Sequence, residues 1–444
     1  IGSGDAPSVF SDFTVVLKGE EEQEFLRKLF LKPFANMAFT SEFTHAVSLE
    51  YNVLHGLCAD IEAGKAMIDA QMPGWVFDGR LGVHAPEGSW SAADAALKPR
   101  STLPVYGRQL YPEQVLGEAA PDMGVTLWEN EGVRLWNLPA KDARIGILSF
   151  KSKMHAIGDE VLDGVLEAVA RAERDLDGLV IWHEAPFAVG ANLAQVAEAC
   201  KAGQFDMLER TVAKFQRASM ALKHAMVPTV AAVQGMALGG GCEFVMHASH
   251  RVLALESYVG LVEAGVGLIP AGGGCKEFAL QAAGLASRAA GGDVFPFIQN
   301  MFQTIAMANV SKSALQAVEL GFAKPSDDII FNARELLHVA LHRARAIAES
   351  GYQPPLVQRA VTVAGRNGIA TCEMMLINMK EGGFISGWDY RVARAAATAL
   401  CGGEVETNAR VSEQWLLDVE RAQFVELLKT EKTQQRILHM LETG

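Results

Sequence analysis

The chain has 444 residues, half of them apolar, and a formal net charge of −13, so its length accommodates two or three domains with sizeable cores. The acidic balance argues against a broad nucleic-acid or anionic-membrane surface, and no stretch reads as a membrane span or a signal peptide, which makes the cytoplasm the expected compartment. Six cysteines lie without CxxC or Cys/His pairing, the pattern of thiols in a reducing compartment, and indicate neither a metal site nor a disulfide framework.

The sequence opens on Ile1-Gly2-Ser3-Gly4 rather than Met, which suggests a processed, tagged or truncated start. Gly2-Ser3-Gly4 does not make a dinucleotide loop: no strand precedes it, and Pro7 takes the place of the third glycine. Residues 20–34 and 41–72 carry apolar side chains at helical spacing (Phe43, Val47, Tyr51, Leu54, Leu57, Ile61), and Met72-Pro73-Gly74 ends the run. The density of Gly, Pro and Ser over residues 79–116 predicts irregular structure. Residues 1–120 therefore read as a mainly helical and irregular N-terminal segment of unknown role.

A hairpin follows, with Val125 to Trp128 and Val133 to Trp136 flanking Glu129-Asn130-Glu131-Gly132, and residues 145–150 form a third strand. Residues 159–175 make an amphipathic helix with Val161, Leu162, Val165, Leu166 and Val169 along one stripe and Asp159 as its cap. A strand over residues 178–182 and a helix over 205–224 come next. After Gly274 helical patterns dominate, over 294–308, 311–320, 330–349, 369–382, 388–400 and 411–441, and the mixed charges of residues 420–436 predict a solvated helix face. The fold class is α/β, with a core over residues 121–325 and a helical C-terminal extension over 326–444.

The most informative stretch is residues 227–274. An apolar strand from Val227 to Val233 leads through Gly235 into Gly239-Gly240-Gly241, and Phe244, Val245, Met246 and Ala248 read as a short buried helix. A glycine triplet at a strand-to-helix junction lets a ligand approach the backbone, with free N–H groups and the positive end of a helix dipole aimed at it. Glu243 sits in the first turn after the triplet. Glu263 stands among apolar and glycine neighbours, where a carboxyl group tends to be desolvated and its pKa raised. Two acids beside an anion-binding backbone suggest acid–base chemistry on a carbonyl compound. Either feature alone has a plainer reading, a dipole-complementing Glu or a tight packing junction.

Four motifs in order, Lys153 to Ile157, Phe187 to Leu193, Gly235 to Glu243, and Gly260 to Glu263 running into Gly267 to Gly274, make the chain resemble the enoyl-CoA hydratase/isomerase (crotonase) superfamily. The resemblance implies a β-β-α spiral core, and an oxyanion hole formed by the backbone N–H groups of Ala191 and Gly240. It further implies that Glu263 delivers a proton to Cα while Glu243 activates the water attacking Cβ. Coenzyme A would lie along Lys153, Met154, Ala156, Ala188 and Gly190, bound largely through main-chain groups, with Lys151 or Lys153 near phosphates. His155 would keep a local structural role.

Retention of both acids favours hydration of 2-trans-enoyl-CoA to 3-hydroxyacyl-CoA in fatty-acid β-oxidation. The alternatives are a Δ3-Δ2-enoyl-CoA isomerase, and a non-catalytic acyl-CoA-binding assembly subunit. Asn192, where many relatives have Asp, and Cys275-Lys276 after the last glycines depart from the family pattern; neither is expected to touch the two acids, and they put substrate preference in doubt more than reaction type. The motif wording and long tail look most like the hydratase part of bacterial 3-hydroxyacyl-CoA dehydrogenase/enoyl-CoA hydratase fusion proteins. In that setting NAD is not expected to bind this chain, a dehydrogenase or thiolase is the expected partner, and a homo-oligomer is the usual assembly.

Overall fold

The structure is a computed structural model that describes residues 124–443 and a few short stretches between residues 84 and 109. The chain divides into two compact units, Ile1–Pro121 and Asp122–Gly444. In the first, His84–Ala85, Gly88–Ser91 and Ala96–Lys98 form a three-stranded antiparallel sheet. Irregular structure was the expectation there. The pairing depends on Gly88, which lies so close to the Lys98 carbonyl that no Cβ fits. The helices expected over residues 20–34 and 41–72 lie outside the described residues.

The second unit is built on a seven-stranded sheet. Its strands in chain order are β1 (Val125–Glu129), β2 (Val133–Leu138), β3 (Ala143–Phe150), β4 (Gly178–Ile181), β5 (Thr229–Leu238), β6 (His250–Gly260) and β7 (Asp328–Ile330). They lie side by side in that same order, β1 to β3 antiparallel and β3 to β7 parallel. Asn130 closes the predicted hairpin, its Oδ1 accepting the N–H groups of Gly132 at 2.9 Å and Val133 at 2.7 Å.

The parallel strands are joined by helices, as a parallel pairing requires. These are α1 (Asp159–Asp175), α2 (Leu193–Lys201), α3 (Phe205–His224) and α4 (Gly240–His247). Asp159 is not the cap of α1; Gly158 holds that position, and Asp159 pairs with Lys214 Nζ at 2.9 Å instead. After β6 come α5 (Gly274–Ala286), α6 (Phe295–Ala306), α7 (Ala314–Glu319) and α8 (Leu336–Glu349), the last packed on β4, β5 and β6.

The C-terminal part is helical: α9 (Gly365–Glu381), α10 (Gly387–Leu400), α11 (Glu413–Leu428) and α12 (Glu431–Thr443). Val361–Thr362 and Arg410–Val411 interrupt it as a two-residue antiparallel pair. Because β7 belongs to the main sheet, that sheet extends past residue 325. The α11 helix packs on α3, α5 and α10, so the extension lies against the same elements that carry the glycine-rich segments. Among the described residues no helix is long and apolar enough to cross a membrane.

Candidate active site

The β5 strand does not stop at Val233 as its apolar run suggests. It shifts register at Gly235, whose φ of 62° a side chain would strain, and continues to Leu238. Gly239, with φ 52° and ψ −123°, then turns the chain into α4, every residue of which is buried. Gly240 is the first residue of that helix, where a backbone N–H has no intrahelical acceptor.

The segment after β4 runs alongside. Ala188 N–H donates to Met236 O at 3.0 Å and Ala188 O accepts Leu238 N–H at 2.9 Å. The chain then swings at Gly190, φ 106°, to meet Ile157: Ile157 N–H donates to Gly190 O at 2.8 Å and Asn192 N–H to Ile157 O at 3.0 Å. Since Ile157 engages the residues on either side of Ala191, the Ala191 N–H points away from that pairing. A Cβ added to Gly190 would lie 3.8 Å from Gly240 N and 3.9 Å from Gly239 Cα. The loop carrying Ala191 and the start of α4 therefore come together.

Both acids reach the same place. Glu263 opens a short 3-10 turn, Glu263–Val266, and its Oε1 lies 3.2 Å from where a Cβ on Gly239 would sit. Its Oε2 is enclosed and accepts no hydrogen bond from the described residues. Glu243 is buried, and its Oε1 accepts the N–H groups of Gly272 at 2.7 Å and Gly274 at 2.8 Å.

The energetics differ accordingly. Burial raises the Glu243 pKa to about 7, against the opposing pull of the Gly274 and Gly272 amides and the Lys276 ammonium. Burial, and then the charge of Glu243 beside it, holds the Glu263 carboxyl well above the usual carboxylate range. When one acid ionises, the other is pressed to remain protonated, which is how a pair of like groups divides into a base and an acid.

The segment expected to meet coenzyme A is a 3-10 turn, Lys153–His155, in which Met154 and His155 both have positive φ and Met154 is exposed. Ala156 N–H is taken by Lys153 O and Ala156 O by Ser152 Oγ. Ala188 has no exposed surface, and β5 engages both of its main-chain groups, so it lies beneath the expected binding face. Lys151 is tied to Glu129 Oε2 at 3.0 Å and to Asn130 O at 2.8 Å. His155 Nδ1 bonds Pro186 O, and its ring packs on that of buried His183. Asn192 caps α2 by accepting Gln195 N–H, a task Asn and Asp perform about equally.

Behind Glu243 lies a group that sequence reasoning missed. Lys276, fully buried, approaches His247 Nε2 at 2.8 Å, Glu413 Oε1 at 3.1 Å and Glu277 Oε1; Lys223 Nζ also binds Glu277 at 2.6 Å and Glu413 at 2.7 Å. His247 Nδ1 bonds the main-chain oxygen of Glu243 at 2.6 Å, which makes the ring a neutral tautomer with Nε2 free to accept from Lys276. Burial and Lys276 hold the His247 pKa down at about 3.

Two expectations are thereby corrected. The Lys276 ammonium acts on Glu243 directly, so this departure from the family pattern does bear on the acids. Glu420 and Thr433, read as part of a solvated face, have no exposed surface. Only their partners in α3, α5 and the Gly267 turn could have revealed this.

Residues 142–288 match the enoyl-CoA hydratase/isomerase family. A Bacillus subtilis protein named "Probable 3-hydroxyacyl-CoA dehydrogenase" is 37% identical over 301 residues, covering 68% of this chain and 37% of that protein. The fatty acid oxidation complex subunit alpha of Idiomarina loihiensis is 28% identical over 296 residues, 65% of this chain and 37% of its own length. The chain thus spans little more than a third of either curated relative. The crystal structure of a carnitinyl-CoA dehydratase from Mycobacterium thermoresistibile shares the fold, with a TM-score of 0.50 at 18% identity over 70% of this chain and 90% of that one. Its motifs, its sheet with a helical C-terminal part and the family match over residues 142–288 make the chain a member of the enoyl-CoA hydratase/isomerase (crotonase) superfamily.

Proposed function

We propose that this site hydrates 2-trans-enoyl-CoA thioesters to 3-hydroxyacyl-CoA within fatty-acid β-oxidation. The observation that carries the reading is the pair of enclosed carboxyls, Glu243 and Glu263, at the junction of the Gly190 loop and the α4 N-terminus. The Ala191 and Gly240 N–H groups would hold the thioester oxygen as it gains enolate charge, each such donor contributing about 3 to 4 kcal/mol to barrier lowering. Glu243, aimed by two amides through Oε1, would take a proton from water through Oε2 as the water oxygen bonds Cβ. Glu263, protonated, would supply hydrogen to Cα. The exposed turn at Lys153 and Met154, with Ala156 and Gly190 behind it, would line the coenzyme A path.

The relatives' names support a place in β-oxidation in which a 3-hydroxyacyl-CoA dehydrogenase consumes the product. The test is loss of conjugated thioester absorbance on mixing the protein with crotonyl-CoA and longer enoyl-CoA esters. Turnover that vanishes in Glu243→Gln supports the reading. Acyl-CoA binding by calorimetry without turnover at any chain length overturns it in favour of a binding subunit. The free Oε2 of Glu263 also suits a proton shuttle between Cα and Cγ, so 3-enoyl-CoA isomerisation surviving in Glu243→Gln would assign the site to that reaction instead.

A further inference from the structure

The two amides that aim Glu243 belong to the segment from Ala271 to Lys276, and that segment is gripped at both ends by one buried bracket. Gln216 Nε2, from α3, donates to Ala271 O at 2.9 Å, to Leu417 O at 2.8 Å and to Glu420 Oε1 at 3.2 Å. Glu420 Oε2, from α11, accepts Lys276 N–H at 3.0 Å. Arg421 Nη1 fixes the amide by donating to Gln216 Oε1 at 2.6 Å, so Gln216 has one orientation. Glu420 makes no ion pair among the described residues. A buried carboxyl without an ion-pair partner is costly for stability alone.

We propose that Glu420 is a positioning residue for Glu243, acting through the Ala271–Lys276 segment and bringing the C-terminal helix α11 into the site. The proposal rests on the reading of Glu243 as the group that activates water. It extends beyond residues 142–288, where the family match ends.

The bracket also has an electrostatic consequence. Around Glu420 and Glu243 stand Cys242 and His247 on α4, Glu263 on its turn, Lys276 and Cys275 on α5 and Arg421 on α11, and beyond them Glu277, Lys223 and Glu413 surround the Lys276 ammonium. Burial, then the charge on Glu243, raises the Glu420 pKa well above the usual range. Glu420 in turn is one of the groups that keeps Glu263 protonated, after burial and Glu243. Removing its charge lets Glu263 ionise at lower pH.

The experiment compares wild type, Glu420→Gln and Arg421→Met in the hydration of crotonyl-CoA over a range of pH. In Glu420→Gln an NH2 group opposes either the Gln216 amide or the Lys276 N–H, so kcat is expected to fall about tenfold to a hundredfold with KM nearly unchanged. The alkaline limb of kcat/KM moves to lower pH while the acid limb stays. Arg421→Met, altered at the partly exposed end of the bracket, lowers kcat less and moves neither limb. Wild-type kcat and an unmoved alkaline limb in a folded Glu420→Gln protein overturn the proposal.

Should Glu420→Gln not fold, an unchanged kcat in Arg421→Met overturns it and a lowered kcat at constant KM supports it. Should wild type show no turnover, the hydratase reading falls separately. Infrared titration of the buried carboxyls, with Glu263→Gln to assign the band, then decides: a Glu263 band that loses its proton at lower pH in Glu420→Gln supports the coupling, and an unmoved band rejects it.

Discussion

The Glu243 and Glu263 regions house the same functional group in opposite ways. Glu243 belongs to a buried helix, and two amides from a separate segment hold one of its oxygens. Glu263 belongs to a four-residue turn and its enclosed Oε2 has no partner among the described residues. The turn is steadied from outside: Thr433 Oγ1 of α12 donates to Gly267 O at 2.8 Å, and a Cβ on Gly267 would come within 3.2 Å of Trp388 Nε1. The contrast teaches that one site specifies direction and the other specifies protonation. A group whose lone pairs accept amide N–H bonds is favoured as an anion, and a group enclosed without donors is favoured neutral.

The largest test of that contrast is removal of each acid. Glu263→Gln and Glu243→Gln should each slow enoyl-CoA hydration by about 10²- to 10⁴-fold. A wild-type rate of hydration in either variant would erase the proposed division of labour. Gly190→Ala comes next. Its φ of 106° disfavours a side chain, and its Cβ would lie 3.3 Å from Leu238 O, so the loop bearing Ala191 must shift. A kcat lower by about a hundredfold, with acyl-CoA binding measured by calorimetry largely kept, is the expected outcome.

Stability gives a smaller and independent readout. Both folded carboxyls bind their protons more tightly than the unfolded chain does. Their contribution is therefore full below the unfolded pKa of about 4.3 and is lost as pH rises through the folded value, which for Glu243 is about 7. Glu263→Gln and Glu243→Gln remove that penalty. Each should unfold at higher urea than wild type at alkaline pH, Glu243→Gln by about 1 to 3 kcal/mol, with the gain shrinking toward pH 4. A gain that grows on acidification would reverse the assignment. The smallest effect is Thr433→Val, which frees the Gly267 carbonyl and should cost about 1 kcal/mol in urea unfolding. Its influence on kcat should be slight, since the Glu263 turn loses one brace and keeps Trp388.

The sequence made the central strand, the glycine triplet and both acids legible because each depends on neighbours within a few positions. Glycines at 239 and 240 announce a turn, and motif order then ties Glu243 to Glu263. What escaped depends on distant partners. β6 carries His250, Arg251 and Glu256, charges that mask a strand; Arg251 is buried with its Nε paired to Asp327 and its Nη1 facing the carbonyls at the end of α4. One long helix over residues 411–441 is in fact two, broken at Lys429 and Thr430. Glu420 looked like a surface charge because nothing in its own helix shows that α3 and α5 close over it.

The central claim is that one buried acid works ionised and its neighbour works protonated, and the pH dependence of kcat/KM for crotonyl-CoA hydration tests it most directly, because it reports the groups of the free protein. The account predicts a bell with an acid limb near 7, set by Glu243, and an alkaline limb above it that disappears in Glu263→Gln. A profile flat through neutrality, or an acid limb that persists unchanged in Glu243→Gln, would contradict it.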